Sequence, residues 1–170
     1  TGYSGSLHEA VAYAYSQGVS FVAAAGNSAA NTDRYPMYPA SFNVPNVLSV
    51  AATTDSDLFA YFSNYGLSTV HMASPGMDIL STFPNNLYVT MRGTSMAAPF
   101  VAGVAALMQI EEPEVLGYQV KQLMLGGTDN LAVLSSKTSS SGRLNALQAV
   151  SDVQSASIDS TQPSYSFTSQ

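Results

Sequence analysis

From Met96 to Met108 the chain carries no charged residue and no strongly polar side chain. No other feature limits the fold as much. A helix that is apolar all round is a buried helix, and at about 1.5 Å per residue this one spans roughly 20 Å of core. The run falls short of the ~20 residues a bilayer requires, so it predicts a central core helix and no membrane span. Gly93-Thr94-Ser95 opens it, and Pro99 then falls in the first turn, where its missing N–H costs least. Gly93, Ala97 and Ala98 are small enough to let another segment approach Ser95. A hydroxyl at a helix N-terminus meets the positive end of the dipole, which favours developing negative charge, and that setting suits a nucleophile. The commoner role of a serine there is an N-cap.

The string Gly93-Thr94-Ser95-Met96-Ala97-Ala98-Pro99 resembles the Gly-Thr-Ser-Met-Ala-x-Pro signature around the nucleophile of the subtilisin-like serine proteases, the subtilases. The resemblance implies that Ser95 is the catalytic nucleophile, with Gly93 and Thr94 among the substrate-binding residues. A second string, Ala23-Ala24-Ala25-Gly26-Asn27, resembles the subtilase segment whose asparagine donates into the oxyanion hole. It implies a catalytic role for Asn27. It also implies that Ala23, Ala24, Ala25 and Gly26 line the pocket for the substrate residue before the scissile bond, leaving it roomy and apolar. On the residues alone, an asparagine after a strand is a turn former.

The rest of the chain is consistent with an α/β fold. Ser6 and Glu9 have the spacing of a capping box, followed by helical periodicity through Leu7, Ala10, Val11 and Ala14, with Gly18 as the stop. Residues 19–25 read as a strand buried on both faces and therefore parallel. Further strands are expected at 47–52 and 70–73. Residues 78–83 and 88–92 form a hairpin closed by Pro84-Asn85-Asn86 that delivers the chain to Gly93. A helix is expected over 114–125, stopped by Gly126-Gly127, and a short last helix begins at Gly142-Arg143-Leu144-Asn145. The fold expected is part of a doubly wound, mostly parallel sheet around a buried central helix. Residues 1–151 would be the C-terminal portion of a subtilisin-like peptidase domain. Residues 152–170 would be a Ser/Thr-rich tail or linker, disordered from about Ser151.

Composition narrows the chemistry. Only 9% of the 170 residues are charged and the formal net charge is −6, which gives no footprint for nucleic acid. Without cysteine there is neither a disulfide nor a thiolate metal site. The subtilase catalytic Asp and His motifs are not present, and the two histidines, His8 on the exposed side of the first helix and His71 beside a strand, are ordinary surface residues by position. The resemblance implies that the triad's Asp and His lie upstream, in an N-terminal half that partners this chain. It further implies a polypeptide substrate and a secreted or extracellular setting. No cofactor is required. A structural calcium held by backbone carbonyls near Ala40 and Phe42 is implied by resemblance only, and His71 stands where many members carry an Asp, which in some of them helps hold calcium. Two other readings remain open at this level. One is a non-catalytic subtilase-like fragment with a binding or assembly role. The other is an α/β-hydrolase esterase, although its Gly-x-Ser-x-Gly elbow would meet Ala97 in the last position.

Overall fold

A computed structural model describes residues 2–165; Thr1 and residues 166–170 of the expected tail lie outside the described residues. The seven residues of β2 (Val47–Thr53) are all buried, as a run rich in Val, Leu and Ala predicts for the middle of a parallel sheet. It lies between β1 (Phe21–Ala24) and β3 (Met72–Pro75), both parallel to it. Two short strands, β6 (Asp129–Asn130) and β7 (Gly142–Arg143), complete the order β1-β2-β3-β7-β6, with β7 parallel to β3 and β6 antiparallel to β7. A separate antiparallel hairpin joins β4 (Ile79–Phe83) to β5 (Leu87–Met91). Asn85 and Asn86 in its turn both adopt positive φ, which asparagine tolerates better than other side-chain-bearing residues.

Alternation along β2 assigns the layers. Leu48, Val50 and Ala52 pack with Val101, Val104 and Met108 of α2 (Thr94–Glu111), Val120 and Met124 of α3 (Gly117–Gly126), and Ala149 and Val153 of α4 (Ala146–Ser155). On the other face Val47 meets Val11 and Tyr15 of α1 (Gly5–Ser16), while Ala51 packs with Val70, Ala73 and Leu134. Helices therefore cover both faces of a mostly parallel sheet, an α/β doubly wound arrangement.

Several local expectations are corrected. Ser4, not Ser6, caps α1, accepting from Leu7 N at 3.4 Å. β1 is shorter than residues 19–25 and only partly buried, because among the described residues β2 is its single partner in the sheet. β3 starts two residues later than expected. Gly142 and Arg143 form β7 rather than the start of a helix, and α4 begins at Ala146 with the Asn145 side chain accepting from Gln148 N. Residues 152–155 belong to α4. The segment after them lies along α1 and α3: the Tyr15 hydroxyl donates to Pro163 O and Gln119 Nε2 to Asp159 O, each at 2.9 Å.

The central helix departs furthest from its expectation. α2 begins at Thr94, so Pro99 is its sixth residue, in the second turn, and the Ser95 carbonyl loses the N–H it would otherwise receive. Its buried residues are Thr94, Ala97, Val101, Val104, Ala105 and Met108. The opposite face, including Phe100, Leu107 and Ile110, is exposed, so the helix is not buried all round. Although α2 is long and apolar enough by composition to cross a membrane, its buried face packs on the sheet as a core helix does.

Candidate active site

The carboxyl ends of β1 and β3 converge on the amino end of α2, the edge where open α/β sheets place their sites. Gly76, directly after β3, accepts a hydrogen bond from Gly93 N at 2.8 Å. Gly93 is buried, has φ +151° and is the N-cap of α2 without a side-chain cap bond. Its carbonyl accepts from Met96 N at 3.0 Å and Ala97 N at 3.3 Å. The helix is thus capped by backbone alone, and Ser95, its second residue, is not the N-cap. Ser95 is exposed, and among the described residues its hydroxyl makes no hydrogen bond.

Thr94 connects this turn to β1. Fully buried, it donates to Asn27 Oδ1 from both its N and its Oγ1, each at 2.9 Å. The same Oγ1 accepts from Gly26 N at 3.1 Å. With its oxygen held inward, Asn27 has an Nδ2 amide that donates to no partner among the described residues. A Cβ built on Gly93 would stand 3.4 Å from Asn27 Nδ2 and 3.6 Å from Ser95 N. Two N–H donors therefore border one small space beside the serine, and such a pair can stabilise an oxygen that gains negative charge.

The other residues singled out in the sequence divide. Ala23 and Ala25 are buried, whereas Ala24 and Gly26 keep partial exposure. Thr94, being buried, holds Asn27 and has no exposed surface for a substrate. An apolar hollow of about 320 Å³ between β4 and α2 touches Ser95 and is lined also by Ile79, Leu80, Ser81, Met96, Pro99 and Phe100, none of them titratable.

Neither histidine is part of this site. His8, expected to be exposed, is 7% exposed, with its ring edge-on to Phe42 at 4.8 Å. His71 lies at the amino end of β3, the far end of the strand from Gly76. Its Nδ1 accepts from Ser49 N at 2.9 Å and its Nε2 is 2.9 Å from Lys121 Nζ. Burial, with the Lys121 charge adding to it, pushes the imidazole down to about 3, and burial pushes Lys121 down to about 8. The two side chains line a hollow of about 310 Å³ with Ala40 and Phe42. A lysine amine faces the hollow, and among the described residues no three His, Asp or Glu side chains gather to hold a metal.

Asn64, in the loop between β2 and β3, is fully buried and bonded to the loop that carries Asn27. An asparagine in a Ser-Asn-Tyr-Gly turn gives no sign that its side chain reaches back across 34 to 39 positions.

Fold and site together define an α/β protein with an unbonded serine and two convergent N–H donors at the carboxyl ends of parallel strands. The chain matches the subtilase family over residues 1–149 and belongs to it, a family of serine proteases. It is 37% identical to subtilisin BL of Lederbergia lenta over 143 residues, 84% of this chain and 50% of that protein. It is 45% identical to thermitase of Thermoactinomyces vulgaris over 102 residues, 60% of this chain and 34% of the relative. A protease of Pseudoalteromonas arctica superposes with a TM-score of 0.81 at 30% identity, covering 89% of this chain and 48% of that one. The chain thus spans half or less of each of these relatives.

Proposed function

We propose that this chain is the nucleophile-bearing part of a secreted subtilisin-like serine endopeptidase domain. The Ser95 hydroxyl attacks the carbonyl carbon of a peptide bond, the C–N bond breaks as the amine leaves with a proton returned by the catalytic base, and water then hydrolyses the acyl-enzyme. Asn27 Nδ2 and Ser95 N–H receive the oxyanion of each tetrahedral intermediate. Ala24 and Gly26 offer the substrate a small, apolar wall. The proton of the hydroxyl goes to a histidine oriented by an aspartate, both supplied by sequence upstream of Thr1, since His8 and His71 are engaged elsewhere. No cofactor enters the reaction.

One observation carries the reading: the Ser95 hydroxyl is unbonded among the described residues, beside an asparagine whose oxygen is tied back so that its amide can donate. A serine kept only to cap the helix would bond a backbone N–H of the first turn.

A fluorophosphonate probe tests this. The chain alone lacks a base beside Ser95 and is expected not to label and to show no peptidase activity. Joined to an upstream half bearing the Asp and His motifs, it is expected to label at Ser95 and nowhere else, with Ser95→Ala as control and mass spectrometry mapping the site. Failure of the joined protein to label leaves the binding or assembly role as the better reading.

A further inference from the structure

Asn64 lies in the loop between β2 and β3, yet its side chain bonds none of its neighbours in sequence. Its Oδ1 accepts from Ser28 N and from Ala30 N, both at 3.0 Å, and its Nδ2 donates to Ala25 O at 2.9 Å. Its own backbone N donates to Gly26 O at 2.9 Å. The four bonds fall on residues 25, 26, 28 and 30. They bracket Asn27 on both sides and leave Asn27 itself untouched. Gly26 has φ +105°, and a Cβ there would collide with Asn64 Nδ2. The carboxamide of Asn64 thus occupies the space that a side chain at residue 26 would fill.

We propose that Asn64 is a positioning residue for the oxyanion site, setting the direction in which Asn27 presents its amide. The inference rests on the oxyanion role given to Asn27 above. Asn27 is held at two places by two separate segments. Thr94 fixes its side-chain oxygen from α2, and Asn64 fixes the backbone before and after it. Thr94 alone leaves the loop free to pivot about that oxygen, which swings Nδ2 away from Ser95 N. The buried amide of Asn64 removes the pivot, because Ala25 O, Ser28 N and Ala30 N all end on one rigid planar group. A donor worth most when preorganised loses its effect through small displacements, so the residue that fixes the loop shares in the transition-state stabilisation without touching substrate.

The test is a double-mutant cycle in the complete peptidase, read as kcat and KM on a peptide substrate, with the folded fraction set by active-site titration. Asn27→Ala is expected to lower kcat by about 10²–10³, a figure taken over from subtilisin itself. Asn64→Leu is expected to lower kcat by about 10- to 100-fold with KM changed less than about 3-fold, and to have less than about a 3-fold effect in the Asn27→Ala background. If Asn64→Leu yields no folded enzyme, Asn64→Asp takes its place in the cycle: it keeps an acceptor for Ser28 and Ala30 and loses the donor to Ala25. Equal losses from the Asn64 substitution in both backgrounds, or a loss confined to KM, overturn the positioning role and leave Asn27 as the donor. A wild-type kcat for Asn27→Ala instead overturns the oxyanion reading, and the positioning role with it.

Discussion

At Gly93 a single missing methyl group keeps the site open. Its φ of +151° lies in a region that side chains rarely adopt and that costs about 1–3 kcal/mol when forced. A Cβ there would stand within 4 Å of both N–H donors. Gly93→Ala in the complete peptidase is therefore expected to lower the melting temperature and to reduce kcat by at least about 10-fold. Gly103 supplies the control. It sits in mid-helix with nothing within 4 Å of where its Cβ would be, so Gly103→Ala is expected to stabilise by about 0.5–1 kcal/mol and leave kcat unchanged. If the two alanines behave alike in calorimetry and in the assay, the space beside Gly93 has no special role.

Between elements, the contact of His71, the residue before β3, with Lys121 of α3 introduces a pH dependence. The folded imidazole is held near 3 by burial first and by Lys121 second, against about 6.5 in the unfolded chain. Between those values the unfolded state binds more protons, so stability falls as pH drops from 6.5 towards 3. Lys121, held near 8 by burial, has the same sign in a higher window, and stability rises as pH increases from 8 to the unfolded value near 10.5. Urea unfolding of the complete protein is expected to show a falling midpoint between about pH 6.5 and 4.5, above the range where the aspartates titrate. His71→Asn, which can still accept from Ser49 N, is expected to flatten that limb. An unchanged slope assigns the acid sensitivity to other groups.

Elements were legible where sequence pattern and tertiary environment agree. β2 is buried at every position, and its apolar run predicted this. The hairpin was legible because Pro84-Asn85-Asn86 can do little but turn. The start of α2 was not, because its cap is a glycine whose conformation is set by the bond to Gly76, 17 positions earlier. The burial of His8 was also hidden, since Phe42 and the segment near residue 165, not the helix period, decide which face of α1 is covered. Within the site, the Ser95 and Asn27 strings could be read by resemblance. The roles of Thr94 and Asn64 as holders could not, because each depends on a partner about 35 or more positions away.

At the scale of the molecule, the exposed apolar surface stands out. Phe100, Leu107 and Ile110 on α2 are 44%, 50% and 71% exposed, and Leu80, Leu87 and Tyr88 of the hairpin are more than half exposed. Residues spaced this way form one continuous stripe along a helix face, and a stripe of that kind drives association when nothing covers it. The chain on its own is expected to sediment as a mixture of oligomers and aggregates. The triple substitution Phe100→Ser, Leu107→Gln, Ile110→Lys is expected to shift that distribution towards monomer. A monodisperse wild-type monomer with a sharp two-state melt overturns the expectation.

The hold on residues 25–30 also bears on chemical ageing. An asparagine deamidates when the nitrogen of the following residue attacks its side-chain carbonyl carbon and closes a five-membered imide. After Asn27 that nitrogen belongs to Ser28, whose N–H is bound to Asn64 Oδ1 at 3.0 Å, while the Asn27 side-chain oxygen Oδ1 is held by Thr94. Neither end can swing into the ring. Asn85, exposed at the hairpin tip, has no such side-chain bond among the described residues, so slow deamidation is expected to reach the hairpin tip before Asn27, which peptide mapping of stored protein checks.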